Sequence, residues 1–339
     1  MSIRNPLTIF DRETILYVLK RLLQAIFTLF LASILSFVII QLAPGDYLDA
    51  LRQNPKMTEE TLLDLQSRFG LDQPILTQYG RWLWRVVRYF DFGISFESFR
   101  PVHELLLERM PATLLLAITS IVGTWAIAIP LGILSAVKQN TVLDKFLRVI
   151  SYLGQGLPSF ITALALLMVA QQVSPLLPVG GMTSINFVDL PWYSKILDIG
   201  WHMILPTIAL SLTGFAGLQR LTRGQLLDVL RQDYIQTARA KGLPENRVIY
   251  VHALRNAINP LITLLGFEFA SLLSGSFISE FFFNWPGLGT LTLQAVQSQD
   301  LYLVMAALMM SATMLIVGNL LADLMLKFAD PRISLNDLK

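Results

Sequence analysis

Long apolar stretches separated by short polar ones set the organisation of this chain. Six segments, at 22–42, 114–137, 149–173, 199–219, 257–279 and 301–322, are almost wholly apolar. Each has the ~20 residues that, at 1.5 Å rise, cross a hydrocarbon layer of ~30 Å. Only the fifth carries a formal charge, Glu268. A central acid costs about 2.5–3.5 kcal/mol on insertion, while each Leu, Ile, Val or Phe returns about 0.3–0.6, so that segment still favours the membrane. The pattern predicts an all-α integral membrane protein with six transmembrane helices and a long outer loop, 43–113, between the first two. Arg4, Arg12, Lys20 and Arg21 precede the first segment as they would a signal peptide. Its apolar run is too long for one and no small-residue cleavage site follows before Pro44, so it reads as a retained helix.

Orientation follows from the basic residues in the short connections. One set carries four Lys and Arg at the N-terminus, three between the second and third segments, seven between the fourth and fifth, and three at the C-terminus. The short connections of the other set carry Lys195 alone. The positive-inside rule puts the richer set, with both termini, in the cytoplasm. The outer loop holds eight more, but connections beyond ~60 residues do not count toward orientation. Composition agrees: the 339 residues are 54% hydrophobic and 15% charged, with a mean hydropathy of +0.56, outside the range of soluble globular domains. The net charge of +2 reflects topology and gives no ground for nucleic-acid binding. The chain has no Cys, which excludes disulfides, thiolate metal sites and Cys nucleophiles.

Prolines and glycines interrupt several segments: Pro130 in the second, Gly154, Gly156 and Pro158 early in the third, Pro206 in the fourth and Pro260 at the start of the fifth. Ordinary kinks explain them, as does shaping of a path between helices. Within the outer loop, Tyr79, Trp82, Leu83, Val86, Val87 and Phe90 recur at helical spacing, with Arg81, Arg85 and Arg88 interleaved. This suits an amphipathic helix lying on the outer face or packed on a partner.

Catalytic chemistry finds little support. The three histidines, His103, His202 and His252, are far apart in sequence and form no H-E-x-x-H, so no metal-ligand spacing appears. There is no G-x-S-x-G elbow and no G-x-x-x-x-G-K-[ST] phosphate cradle. Ionisable residues at membrane depth are functional candidates by default. Glu280 and Asp323, near segment ends, are expected to reach interfacial water. Glu268 is the stronger candidate, as a proton site or as a polar contact between helices.

The most basic connection, 220–256, has its own pattern. Residues 232–241 read as a short helix with Tyr234, Ile235, Ala238 and Lys241 on one face. Gly242-Leu243-Pro244 ends it, because Gly suits a left-handed position past a helix end and Pro cannot continue the ladder. A second helix restarts at Glu245 and places Val248, Val251 and His252 on one side. Helices this short need something to pack against, either anionic headgroups or a cytoplasmic partner.

This stretch resembles the EAA loop of ABC importer permeases, in which Glu-Ala-Ala is followed after three residues by Gly. Here Gln236-Thr237-Ala238 precede Gly242, with Gln for Glu and Thr for the first Ala. The longer run DYIQTARAKGLPENRVIYVHALRNAINPLIT is similar to the form in the oligopeptide and dipeptide permease subfamily. So are FGLDQPILTQYGRWLWRVVRYFDFGISF with RMPATLLL in the outer loop, FFFNWPGLGTL before the last segment and DPRI near the C-terminus.

The resemblance implies the type I ABC importer permease fold, in the form of the first permease subunit, in a bacterial plasma (inner) membrane. Segment 1–21 would be cytoplasmic, 114–326 the permease core and 327–339 a cytoplasmic tail. Its implied partners are a second homologous permease subunit, two cytoplasmic ABC ATPase subunits that bind ATP and Mg, an external solute-binding protein and the lipid bilayer. The chain itself would hold no cofactor and be no enzyme. Gln236, Thr237, Ala238, Arg239, Lys241 and Gly242 would couple it to the ATPases, and the cargo would be peptide-like. A self-sufficient proton-coupled secondary transporter or channel using Glu268 stands as the alternative.

Overall fold

A computed structural model describes residues 12–43, 45, 47–52, 57–173 and 177–329. The start of the N-terminal segment and the DPRI run lie outside the described residues. The helices are α1 (Arg12–Leu42), α2 (Tyr47–Arg52), α3 (Glu59–Phe69), α4 (Ile75–Tyr89), α5 (Val102–Val137), α6 (Val142–Gly156), α7 (Ser159–Val173), α8 (Trp192–Leu230), α9 (Asp233–Ala240), α10 (Glu245–Arg247), α11 (Leu254–Ala257), α12 (Asn259–Phe282), α13 (Leu288–Gln297) and α14 (Leu301–Ala329). Among the described residues the one β contact is an isolated bridge between Ile94 and Pro101.

Each predicted segment falls in helix. Among the described residues four helices are long and apolar enough to cross a membrane, and a bent pair makes a fifth. That pair, α6 and α7, is where the third predicted segment differs from a single rod: it turns by 105° at Leu157-Pro158. Pro158 cannot donate to the preceding turn, whereas its carbonyl accepts from the N–H groups of Ile161 and Thr162 and so starts α7. Pro130 and Pro206, by contrast, sit inside unbroken helices. α12 runs unbroken for 24 residues over nearly all of the fifth segment, with Pro260 in its first turn, where a missing N–H is harmless.

The chain divides into two compact units. One comprises Leu22–Thr113 and Pro286–Met314. Its α3 begins at Thr58, whose side chain accepts from the Thr61 N–H, and ends at Gly70 in the left-handed conformation. Trp82, Phe96, Leu106 and Met305 are fully enclosed, and Tyr47, Phe69, Phe96 and Tyr302 cluster ring to ring. Asp300 ties the turn after α4 to the start of α14. It accepts from Ser95 Oγ at 2.6 Å, from the Phe96 N–H at 2.7 Å and from the Leu303 N–H at 3.1 Å. The expected amphipathic helix is α4, but its apolar stripe is used within the chain. Trp82 and Val86 are buried, and Tyr79 packs on Phe37 and bonds to Ser33 Oγ at 2.9 Å. Val87 and Phe90 stay exposed.

The other unit holds Leu114–Trp285 with the ends of α1 and α14. At its centre Asp144 is fully buried. Thr141 caps α6 by accepting from the Asp144 N–H, and the Asp144 carboxylate accepts in turn from the Asn140 N–H at 2.9 Å. The same carboxylate takes a two-pronged contact from Arg223, with Nε and Nη2 at 2.8 and 2.9 Å, and a short bond from Ser135 Oγ. One group thus joins the end of α5, the start of α6 and the C-terminal part of α8. Close by, α5 approaches α8 at Gly132, where a methyl would stand 2.6 Å from Thr222 Cβ.

One expectation about membrane acids is corrected here. Glu280 does not reach water: it is fully enclosed and accepts from Ser276 Oγ at 3.0 Å. Asp323 stays partly exposed, as expected, and in addition accepts from Tyr17 Oη at 2.7 Å and Arg21 Nη2 at 2.9 Å. Both outcomes follow from the cost of leaving a carboxylate unsatisfied in an apolar surround.

Arg223, with Ser135 and the Asn140 N–H, outweighs burial and holds the Asp144 carboxyl well below the usual carboxylate range. Its contribution to stability is therefore complete above about pH 4, the value of a free Asp, and is lost as pH falls through the depressed folded-state value. Asp144→Asn strands Arg223 and is expected to cost about 3–5 kcal/mol, read as a lower melting temperature in detergent. The variant's melting temperature should also fall less than the wild type's between about pH 5 and pH 3; equal slopes would remove Asp144 from the account.

Candidate functional site

The basic connection folds into two helical arms joined by a tight turn. α9 starts after Gln232, with Asp233 in its first turn, where an anion complements the helix dipole. It ends in a Schellman motif. Gly242 has φ +74°, its N–H donates to Arg239 O at 2.9 Å, and the Leu243 N–H reaches back to Ala238 O at 3.4 Å. Pro244 then opens the second arm, its carbonyl accepting from the N–H groups of Arg247 and Val248.

The second arm is continuous helix in three registers: α10, a π-helical turn over Val248–Ala253, and α11. The expected face of Val248, Val251 and His252 is not the one that packs. Val248, Ile249, Ala253 and Ala257 are buried, and Val251 is exposed. The π turn adds a residue and rotates the packing face off the 3.6-residue pattern. After a single turn residue, Ile258, α12 continues the run.

Both arms share one apolar base. Ile235 and Ala238 from α9 join Val248, Ile249, Ala253 and Ala257, and the cluster closes on Ile133 and Ala136 of α5 and Leu226 of α8. Leu243 packs against it, as the residue after a Schellman glycine commonly does. Two polar ties cross between the arms. Arg239 holds Glu245 with contacts of 2.6 and 3.2 Å, keeping the Glu245 carboxyl below its ordinary value. Asn256 Nδ2 donates to Tyr234 Oη at 2.9 Å. The Arg239–Glu245 pair is open to water and by itself adds little.

The six residues expected to couple therefore differ in placement. Gln236, Thr237, Lys241 and Gly242 lie exposed at the tip, and Arg239 is half-buried in its ion pair. Ala238 faces inward and serves packing. Three features escaped the sequence reading: the Tyr234–Asn256 tie, the π turn and the contact with α5. The first two join residues that a regular helical pattern would not bring together, and the third lies about 100 residues away in sequence. Glu268 sits apart from this loop, on α12, where its Oε2 accepts from Trp125 Nε1 at 2.6 Å.

Known proteins resemble this chain in sequence. The family model described as "Binding-protein-dependent transport system inner membrane component" matches residues 128–335, and its N-terminal companion matches residues 14–117. The chain belongs to this family. It is 40% identical over 318 residues to the oligopeptide transport system permease protein AppB of Bacillus subtilis, covering 94% of this chain and 98% of that one. It is 35% identical over 333 residues, with the same coverage, to the dipeptide transport system permease protein DppB of Escherichia coli K12. A solved chain from inward-facing conformations of the MetNI methionine ABC transporter aligns with a TM-score of 0.49 and 16% identity, covering 65% of this chain and 95% of that one.

Membership in the binding-protein-dependent family makes this a multi-pass inner-membrane permease component of an importer. It decides against the self-sufficient transporter built on Glu268. The two-armed loop lies within the matched region.

A side chain at Gly242 would meet nothing within 4 Å, so a substitution there strains only the backbone. Gly242→Ala is expected to weaken the Schellman turn by about 1–2 kcal/mol. Amide hydrogen exchange across residues 233–257 should then quicken roughly 5- to 30-fold, with α5 and α8 unaffected. Unchanged exchange would mean that the apolar base alone holds the arms.

Proposed function

We infer that this chain is the membrane-spanning permease subunit of an ATP-driven importer for peptide-like solutes. In this reading it forms half of the translocation pathway beside a second homologous permease, with both termini cytoplasmic. Two ABC ATPases carry ATP and Mg, and an external solute-binding protein delivers the cargo. The peptide assignment rests on the names of relatives aligned over most of this chain.

The observation that carries the coupling role is the build of the loop. Its tip is exposed at Gln236, Thr237, Lys241 and Gly242, while its base is packed into α5 and α8 and its second arm runs on into α12. A force applied at the tip by a closing ATPase pair reaches three long helices through dry contact and continuous backbone. In this mechanism ATP binding draws the docked tips together and rocks the helices from inward-open to outward-open, and the binding protein releases solute at the outer mouth. The Gly242 turn shapes the tip, with Arg239 and Glu245 a minor tie across it, and Ala238 seats it.

The test is a pull-down from gently solubilised native membranes, comparing the unmodified chain with Gly242→Glu. The variant's side chain points into open space, so insertion should be normal. The unmodified chain is expected to bring down an ATPase and a second permease. The variant should lose the ATPase and uncouple ATP hydrolysis from uptake. Normal uptake by the variant would refute the coupling assignment.

A further inference from the structure

A groove of about 620 Å³ runs along α8 and is closed on one side by α12. Gly214, Gly217, Gly224 and Asp228 recur along it at three-, seven- and four-residue steps, which places them on one face of the helix. A Cβ at Gly217 or Gly224 would meet nothing within 4 Å. These glycines therefore bring no neighbour of this chain closer; the space they leave belongs to the groove.

Opposite charges line this space. At one end Glu268 Oε2 accepts from Trp125 Nε1, and its Oε1 lies 3.9 Å from where a Gly214 side chain would begin. Among the described residues no hydrogen bond or ion pair takes Oε1. Trp125 fixes the carboxylate without neutralising it, and a charge at membrane depth calls for a partner. Six residues further along α8, about 9 Å, Arg220 lies over the Tyr152 ring at 5.7 Å with its guanidinium bound to no carboxylate among the described residues. Asp228 ends the groove, about 21 Å from Gly214.

We propose that Glu268 and Arg220 form a station in the pathway for the two ends of a short zwitterionic peptide, the ammonium on Glu268 Oε1 and the carboxylate on Arg220. At neutral pH the α-amino and α-carboxyl groups of a free peptide are both charged. Two or three extended residues span about 7–11 Å, comparable to the rise of about 9 Å between Gly214, beside which Glu268 Oε1 lies, and Arg220 on α8. A neutral cleft would leave both termini unsatisfied, whereas this one meets each with its opposite. The glycine face lets the peptide backbone lie against the helix. This inference rests on the importer reading and adds which of this chain's residues handle the cargo.

The experiment uses the complete importer in liposomes, with binding protein, both permeases and both ATPases. Uptake of a labelled dipeptide and ATP hydrolysis are measured together for wild type, Glu268→Gln, Glu268→Asp and Arg220→Gln. Glu268→Gln and Arg220→Gln are expected to lower the maximal uptake rate at least tenfold while hydrolysis continues, so that more ATP is spent per peptide. Glu268→Asp should recover uptake to within threefold of wild type. Uptake within twofold of wild type in Glu268→Gln would overturn the station. Loss of hydrolysis or of the second permease from purified Glu268→Gln would overturn it too, assigning the carboxylate and glycine face to assembly. Absence of ATP-dependent peptide uptake by the wild type would overturn the importer reading beneath it.

Discussion

Asp144 can remain a buried anion only while Arg223 faces it, and that requirement fixes where α5, α6 and α8 meet. A carboxylate with four donors around it is satisfied in one arrangement of those helices and in no nearby one. Apolar contacts between membrane helices lack this selectivity, because lipid tails compete for the same surfaces. The charged clamp therefore does for helix placement what hydrophobic burial does in a water-soluble core. The glycine at 132 and the capped turn at Thr141 both serve it, the first by letting α5 approach α8 and the second by aiming the carboxylate.

The two-armed loop inherits its position from that junction. Ile133 and Ala136, which seat the loop, flank Ser135, which binds Asp144, and Leu226 follows Arg223 by three residues. Docking surface and clamp are thus neighbours on the same helices. A loop held only by its own hydrogen bonds would absorb a push by bending. Here the arms are too short to stand alone and keep their shape because the base is dry and shared. Continuity from the second arm into α12 extends the same rigid body to Glu268.

Most of the architecture was legible in the sequence, because the constraint that lipid imposes is one-dimensional: a run of apolar residues either spans the layer or does not. The Gly242 turn was legible for a similar reason, since a left-handed helix end with a following Pro has few alternatives. The failures share a cause as well. The burial of Glu280 and the partners of Asp323, Tyr17 and Arg21, depend on which distant helices lie alongside, and hydropathy holds no record of neighbours; the size of the bend at Pro158, though not its place, was equally invisible. Period counting puts Val251 on the same side as Val248, but only Val248 is buried, because that count assumes one kind of helix throughout. α4 reads as amphipathic, lying on the outer face or packed on a partner, whereas part of its stripe packs within this chain, since periodicity reveals a buried stripe but not what buries it.

The π turn over Val248–Ala253 makes the phase between loop and membrane a matter of a single residue. Successive residues of an α-helix are rotated by about 100°, so an extra residue held in a widened turn resets the bearing of everything downstream. Remove one residue from that segment, restoring an ordinary α turn, and α12 would keep its length, its apolar character and its place in the chain while Glu268 swung to a different compass point. Every substitution score along α12 would be unchanged by such a deletion. For this chain, then, the angular address of Glu268 on α12 is written fifteen to twenty residues upstream, in the widened turn over Val248–Ala253.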